Sequence, residues 1–579
     1  MENNRRFLLA LALSALALFA FQFLFPTPPA RSVAARPGSA AVTGPTAAGP
    51  PAGVSAATVA AASEAGAAAP PPAGAPVETV TVAGARAAYR VSTQGAALVG
   101  AEMRGFRNLD ASDRGQPVQL ARPGESLLSY RVVVPGDTIP LARVPFTVTR
   151  TGPSGAEVVR LDGVAHGKVA ASVPVSITYA FAPDSYTVRV RGSVQAAGPA
   201  FLLVDLPQTL AATERDTADH YHHLSFAWKP KDAGAKGEAF AKLDAGERVL
   251  APGPLTWAVA KSKYFLVGAL APIGGQPFSE LTLEGGVRTS KLATRARATL
   301  VAPVANGGVA FDVYAGPQEW RRLAAQGREF ESANPYGGWL QGLVSPFATL
   351  AIRAILWLHD HLKIGYGWVL VLLGVLVRLV LWPLQQNMMR NQIKMQRIQP
   401  ELQLVQQQHK NDPQKLQAEM MRVYASHGMT PFAPITGCLP MLLPMPIFFA
   451  LLFVFQNTIE FRGVPFLWLA DISLKDPFYV LPVLVAATQF LISWIGMRGS
   501  PPNPQTQTMT YMMPAVFLFF FINVAAGLNL YYLTQNLVMI PQQWLLARER
   551  LRAGGVPPTP PIQGTPVRGG TKSPKLRPA

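Results

Sequence analysis

A single arginine interrupts a long apolar run in the second half of this 579-residue chain. Arg378 lies within residues 364–384, which are otherwise apolar enough and long enough to form a membrane-spanning helix. A charge at the centre of such a helix costs roughly 2.5–3.5 kcal/mol and usually faces a bundle interior or a water-filled cavity. The side chain can also extend toward the helix end at Leu384, about 9 Å away at 1.5 Å per residue. Of these interpretations we favour an interior, anion-attracting site.

Two later apolar helices carry polar residues at helical spacing. The segment 478–496 carries Thr488, Gln489 and Ser493. The segment 528–546 carries Asn529, Tyr532, Gln535 and Asn536. Polar groups in hydrocarbon seek partners, so each face alone is explained by hydrogen bonding between helices. Together they favour a hydrated concavity around Arg378. No predicted span contains Asp or Glu, so the arginine has no fixed counter-ion and can attract an acidic group.

Other candidates for chemistry are weaker. The run Asp219-His220-Tyr221-His222-His223 has metal-ligand residue types, but a second ligand cluster is missing, and a surface loop is the favoured interpretation. Cys438 lies in an apolar stretch and is expected to pack there. The sequence has no G-x-x-x-x-G-K-[ST] motif and no Ser/His/Asp or paired-carboxylate arrangement. We therefore expect no metal, no cofactor and no enzymatic activity.

The composition places these residues in a membrane protein. The chain is 49% hydrophobic but only 15% charged, against roughly 25% in soluble domains, which excludes a wholly disordered or collagen-like chain. We predict an α-helical polytopic protein with six transmembrane helices: 7–25, 364–384, 434–455, 478–496, 509–524 and 528–546. Residues 1–25 contain the first of these. Because it follows Arg5 and Arg6 and lacks a small-residue cleavage site, we expect an uncleaved anchor.

The remaining segments have distinct compositions. Residues 26–78 are rich in Ala, Pro and Gly and predict a flexible linker. Residues 79–335 alternate apolar and polar positions, as in 172–181 and 186–192, and predict a large extracytoplasmic all-β sandwich. An amphipathic helix lying along the membrane surface is expected at 336–363. Transmembrane helices 3 to 6 are expected within residues 434–546. The composition of residues 547–579 predicts a basic disordered tail.

Residues 385–433 predict a cytoplasmic helical hairpin. The pattern indicates helices from Gln385 to Gln408 and from Pro413 to His427, with Asp412 as the cap of the second. Methionines along it, including Met388, Met395 and Met420, form a soft apolar stripe. Such stripes adapt to varied apolar substrates, but packing between the two helices explains them equally well.

The distribution of charge predicts the topology. The 385–433 segment has six basic and three acidic residues and the 547–579 tail has seven and one, whereas 456–477 has two and three. Because cytoplasmic loops carry the excess of Lys and Arg, both termini are expected in the cytoplasm and 26–335 in the periplasm. The net charge of +18 therefore reflects topology rather than DNA binding. For the tail, contact with anionic lipid is favoured over contact with ribosomal RNA.

Several blocks of residues match a known pattern. In order they are Val377–Leu384, Met395–Glu401, Gly437–Leu443, Met445–Leu451, Asp476–Pro482 and Gly527–Tyr532. Their sequences and spacing over 340–550 resemble the YidC/Oxa/Alb membrane protein insertase family. The outer β domain and six spans resemble its Gram-negative YidC form.

This resemblance implies an inner-membrane insertase and chaperone with a five-helix core. It implies a hydrophilic, positively charged groove centred on Arg378 and open to the cytoplasm, with Tyr532 among its contacts and Gly374 where relatives commonly have Thr. We place Gln489, Asn529 and Asn536 in the same groove. The implied partners are nascent integral membrane proteins, the lipid bilayer and the Sec translocon, with the ribosome as a further candidate.

An alternative from another class is a solute transporter or channel with Arg378 as an anion site. It predicts a pathway that reaches both faces of the membrane. Many transporters are built from paired broken helices or inverted repeats, and we detect no internal repeat in this sequence. The insertase is therefore the favoured prediction.

Overall fold

The computed structural model describes residues 78–153, 156–170, 172–288, 292–333, 341–409, 412–427, 445–498 and 504–552. The predictions for the 7–25 anchor, for all but the last residue of the 26–78 linker, for Cys438 and for the tail beyond Arg552 lie outside these residues. The chain divides into two compact units, one containing the β domain with Asn457–Glu460 and one containing the helices after Gly342.

The described part of the β unit contains eighteen strands, and every pairing among them is antiparallel. They are β1 (Thr79–Ala83), β2 (Ala87–Ser92), β3 (Leu98–Arg107), β4 (Pro117–Gln119), β5 (Ser129–Val134), β6 (Asp137–Pro140), β7 (Thr147–Thr151), β8 (Val158–Ala165), β9 (Val173–Ala180), β10 (Thr187–Val194), β11 (Ala200–Asp205), β12 (Ser225–Pro230), β13 (Lys236–Ala239), β14 (Arg248–Lys261), β15 (Phe265–Leu270), β16 (Phe278–Gly285), β17 (Ala296–Val304) and β18 (Gly308–Pro317). Strands β1 to β4 form one sheet and the other fourteen form a second.

The alternating sequence pattern explains these strands. Along β9 the side chains of Val173, Val175, Ile177 and Tyr179 are buried, and the residues between them are more exposed. Because successive strand residues point to opposite sheet faces, one face of β9 enters the core. The strands predicted at 172–181 and 186–192 are confirmed as β9 and β10, which pair with each other from Val175–Val194 to Ala180–Arg189.

One apolar core joins the two sheets of the β unit. Its largest fully buried side chains include Trp257, Tyr130 and Tyr179. The Tyr179 hydroxyl donates to the Ala96 carbonyl oxygen (2.7 Å) and lies 2.8 Å from the Tyr130 hydroxyl. The buried phenols are therefore hydrogen-bonded, as buried polar groups need to be. The prediction of an all-β sandwich is confirmed.

Two short helices also belong to this unit, α1 (Thr217–His222) and α2 (Trp320–Ala325). The surface loop predicted at 219–223 is wrong. Asp216 caps α1 by accepting from the Asp219 backbone N–H, and His220 is fully buried. Its Nε2 lies 3.3 Å from the Leu210 carbonyl oxygen. No group of three or more His, Cys, Asp or Glu side chains suited to a metal occurs in the described ranges.

The helical unit contains seven helices among its described residues. They are α3 (Gln341–Leu362), α4 (Tyr366–Gln408), α5 (Pro413–Ser426), α6 (Met445–Asn457), α7 (Val480–Met497), α8 (Pro504–Phe521) and α9 (Ala526–Arg552). Helix α4 continues without a break past Leu384, where the sequence pattern changes from apolar to polar. The separate segments predicted at 364–384 and from 385 are thus one helix, because Gln, Met, Lys and Arg after Leu384 are strong helix formers.

Apolar helices long enough to cross a membrane are fewer in the described residues than the six predicted spans. Residues Tyr366–Pro383 and Val480–Met497 have the required length and hydropathy, and Pro446–Asn457 and Thr510–Phe521 are shorter apolar helices. Helix α9 contains several Asn and Gln residues, which lower the hydropathy of its 528–546 segment. The count of six stays a prediction.

The hairpin helices α4 and α5 pack through a small apolar cluster. It consists of Ile398, Leu402, Val423 and Tyr424, with Met420 packed against it. Asp412 caps α5 as predicted, since its Oδ1 accepts from the Lys415 backbone N–H (3.1 Å).

Candidate functional site

Arg378 is buried between two packed helices. It lies on α4, and α4 packs along α9. Its guanidinium is part of a side chain only 5% exposed, and Nη2 donates to Gln542 Oε1 on α9 over 2.8 Å. Its Nε is buried without a hydrogen-bond partner, and no ion pair involving Arg378 occurs in the part of the chain that the structure describes. A full positive charge is therefore held by a neutral amide.

Gly374 lets α4 approach α9 closely. A Cβ atom at this position would lie 3.1 Å from Cβ and Cγ2 of Thr534 and 3.3 Å from the Tyr531 carbonyl oxygen. The Gly374 carbonyl oxygen accepts from Gln535 Nε2 (3.3 Å), which also donates to the Tyr531 hydroxyl (2.8 Å). Gly374 thus contributes close helix packing and a backbone acceptor one turn before the arginine.

We call these residues the α4–α9 polar seam, defined as Gly374, Arg378, Tyr531, Gln535 and Gln542. Sequence reasoning missed Tyr531 and Gln542 as site residues. A signal was present, because Gln542 follows Gln535 by seven residues and therefore lies on the same helix face two turns later.

Asn536 faces a different neighbour. It is buried, and its Nδ2 donates to Thr488 Oγ1 (3.1 Å) and to the Val485 carbonyl oxygen (3.3 Å), both on α7. Gln489, also on α7, is half-buried. Neighbouring helix residues differ by about 100° in direction, so Gln535 and Asn536 turn toward different helices. The predicted polar face of α9 is divided between α4 and α7.

Asn529 and Tyr532 lie near the start of α9. Asn529 is fully buried, and its Nδ2 is within hydrogen-bond distance of the Phe521, Val524 and Ala525 carbonyl oxygens. It therefore ties together the tight turn between α8 and α9. The Tyr532 ring packs 5.5 Å from Phe448 and 5.1 Å from Phe521, between centroids, in an aromatic cluster that joins α6, α8 and α9.

The loop at 461–479 covers one end of the helices. The Ala526 N–H donates to the Leu474 carbonyl oxygen (2.7 Å), and the Gly527 N–H donates to that of Ile472 (2.8 Å). Asp476 accepts from the Leu481 N–H (2.7 Å) and from Trp468 Nε1 (3.2 Å). Orphan N–H groups at two helix starts are satisfied by this loop, so it is firmly bound to the bundle at that end.

The predicted methionine contacts divide into two groups. Met420 is half-buried against the hairpin cluster, which agrees with packing between the helices. Met388 and Met395 lie on the described backbone of α4, but their side chains are outside the described residues.

The chemistry of the seam suits it to attracting an anionic group. A guanidinium presents five N–H donors and stays charged, and an amide partner accepts one donor without removing the charge. At an effective dielectric constant near 20, a carboxylate 4 Å from such a charge gains about 4 kcal/mol of attraction. The arrangement therefore suits transient binding of an acidic or strongly polar group.

Comparison with known proteins assigns the family. Residues 357–553 match the model of the 60Kd inner membrane protein family, and residues 79–350 match that of the YidC periplasmic domain. A membrane protein insertase YidC from Nitratidesulfovibrio vulgaris is 32% identical over 381 residues, covering 64% of this chain and 68% of its own. The chain belongs to the YidC membrane protein insertase family. Members of this family are multi-pass inner-membrane proteins, and the two matched models cover both units of this chain.

Further relatives agree with this family. A membrane protein insertase YidC from Anaeromyxobacter sp. is 37% identical over 300 residues, covering 51% of this chain and 52% of its own. Among solved structures, an active YidC insertase with its first transmembrane domain resolved aligns at 19% identity and a TM-score of 0.32, covering 82% of this chain and 95% of that one. The assignment rests on the sequence matches, since this TM-score is low.

Proposed function

We propose that this chain inserts integral membrane proteins into the inner membrane and helps them fold, with the α4–α9 polar seam as its substrate-binding element. The observation that carries this proposal is the buried Arg378, which is held by the neutral Gln542 amide rather than by a carboxylate. A purely structural arginine at such a depth would be expected to have a paired acid.

The seam would lower the barrier for a polar segment to cross lipid. A substrate's charged or polar segment costs several kcal/mol to place in hydrocarbon, whereas its apolar helices partition there favourably. Contact with Arg378 and the neighbouring amides replaces part of the lost hydration. Partitioning of the substrate's helices then supplies the driving force, so no catalytic chemistry or nucleotide is needed.

In this proposal the loop at 461–479 closes one end of the helical unit. Its backbone contacts to Ala526 and Gly527 cover the start of α9, whereas Arg378 lies further along the bundle. A pathway for solute would have to reach both faces. The transporter alternative is therefore disfavoured on this point.

The proposed topology follows the distribution of charge. We propose that both termini and the α4–α5 hairpin lie in the cytoplasm, that six helices span the membrane, and that residues 26–335 lie in the periplasm. Groove contacts by Gln489 and Tyr532 and substrate contacts by Met388, Met395 and Met420 belong to this proposal. The Sec translocon and, through the 547–579 tail, the ribosome are proposed partners.

Reconstitution tests the function. The purified chain in liposomes, without ATP, should insert a short single-spanning or double-spanning protein, as measured by protease protection of the translocated segment. Empty liposomes and liposomes containing the heat-unfolded chain are the controls. Absence of insertion together with a measurable flux of anionic solute would contradict the proposal and favour a channel.

A further inference from the structure

The partner of Arg378 is the most unusual feature of the helical unit. Arg378 is 5% exposed and Gln542 is 2% exposed, so both side chains are removed from solvent. Their single described hydrogen bond joins a permanent cation to a neutral group. A buried carboxylate would stabilise the guanidinium more strongly, because charge-assisted bonds to an acid are stronger than bonds to an amide.

The hydrogen bond leaves polar atoms unused on both sides. Arg378 Nε and Gln542 Nε2 are each buried without a partner. Because arginine has only donors, Gln542 must present its oxygen to Arg378 and direct its NH2 group elsewhere. Buried donors without acceptors cost roughly 1–3 kcal/mol each, so they mark a place where an acceptor from another molecule would be favourable.

We propose that Gln542 is a positioning residue that sets the preference of the seam for acidic substrate segments. It fixes the guanidinium through one hydrogen bond and leaves the positive charge uncancelled. The unused donors of Arg378 and Gln542 then bind a carboxylate of the segment being inserted. This inference rests on the proposed insertase function.

The decisive variant replaces the amide by an acid of nearly the same shape. Gln542→Glu places a carboxylate against Arg378, so the resulting ion pair cancels the charge. The matched control is Gln543→Glu, because Gln543 is also buried and its Oε1 lies 3.8 Å from the Cβ position of Gly496 on α7. Both variants bury one new carboxylate, but only the first places it beside Arg378.

The experiment uses proteoliposomes that contain the full chain. It compares the insertion of two substrates that are identical except that the translocated segment has two Asp residues in the acidic one and two Asn residues in the neutral one. Gln542→Glu should lower the ratio of acidic to neutral insertion at least fivefold, as Arg378→Ala should. Gln543→Glu should leave the ratio within twofold of the parent. A parent-like ratio for Gln542→Glu, alongside a lowered ratio for Arg378→Ala, would overturn the role of Gln542 and leave the insertase intact.

A second variant tests the proposal independently, in case Gln542→Glu fails to fold. The exchange Arg378→Gln with Gln542→Arg keeps one cation and one amide at the same place between α4 and α9. It should recover at least half of the parent ratio, whereas Arg378→Gln alone should not. Failure of the exchange, in a variant with the parent's thermal unfolding midpoint, would overturn the proposal. If the parent inserts neither substrate, the proposed function itself is wrong.

Discussion

The two units of this protein differ in the partners of their buried and partly buried arginines. In the β unit, Arg131 forms two hydrogen bonds to Asp205 (2.9 and 2.6 Å), and Arg328 donates to Asp312 (2.8 Å). In the helical unit, Arg378 meets only the Gln542 amide among its described contacts. Breaking a buried ion pair is destabilising because it leaves one charge without a partner, whereas Arg378 already lacks an acidic partner among the described residues.

The β unit also buries a titratable group in its neutral form. His220 is fully buried, and burial lowers the pKa of its imidazole from 6.5 to about 4. Neutralising or pairing every buried group is what a stable scaffold requires. The β unit thus keeps His220 neutral, whereas the seam places a guanidinium beside a neutral amide.

The largest expected effect is on the pH dependence of the β unit. Between pH 6.5 and about 4 the unfolded chain protonates this imidazole while the folded chain excludes the proton. The free energy of unfolding should therefore fall as the pH falls, by about 3 kcal/mol. Urea unfolding of the full chain in detergent, followed by the β-sheet circular dichroism signal, measures it. His220→Leu should have a shallower pH dependence, and an unchanged one would show that His220 is not responsible.

The second largest effect should follow from removing a paired carboxylate in the β unit. Asp205→Ala leaves Arg131 with a partly buried, unmatched charge and removes the acceptor of the Thr299 hydroxyl, so it should lower the free energy of unfolding by about 2 kcal/mol. Asp162→Ala is the control, because its pair with Arg160 is exposed and should matter by less than about 0.5 kcal/mol. Equal losses would contradict the structural importance of the buried pair.

Arg378→Ala should affect substrate insertion more than stability, the reverse of what is expected for Asp205→Ala. It should reduce insertion of acidic substrates about tenfold more than neutral ones, which corresponds to about 1.4 kcal/mol. Its unfolding midpoint should change less than that of Asp205→Ala. Arg378→Lys keeps the charge and should retain part of the preference. If Arg378→Ala instead lowers stability as much as Asp205→Ala and affects both substrates equally, the comparison between the units fails.

The smallest effect should be at the hairpin. Asp412→Ala removes the N-cap of α5 and should destabilise that helix by about 1 kcal/mol. Lys415→Ala removes the 3.4 Å ion pair with Asp412 but keeps the cap, so it should be nearly neutral. Hydrogen–deuterium exchange of peptides from Pro413–Ser426 measures both. Equal exchange in the two variants would show that the cap does not limit opening of α5.

Much of the fold follows from local pattern. The alternation in β9 and β10 and the cap at Asp412 were predictable because each depends on neighbours along the chain. The boundary drawn after Leu384 marks a change in polarity within one helix, because the residues that follow it still favour a helix. The loop expected at 219–223 was wrong: His220 is buried, and its Nε2 lies beside the Leu210 carbonyl oxygen, a contact that the local pattern does not reveal.

That a lone arginine lies in an apolar helix without an acid beside it was readable from the sequence, because composition and spacing are local properties. The atoms that contact this arginine become known only from the packing of the helices. Gln542 is separated from Arg378 by 164 positions, and Asn536, beside Gln535, turns to another helix. Contacts between helices depend on their rotation and approach, which Gly374 and Thr534 set by close packing.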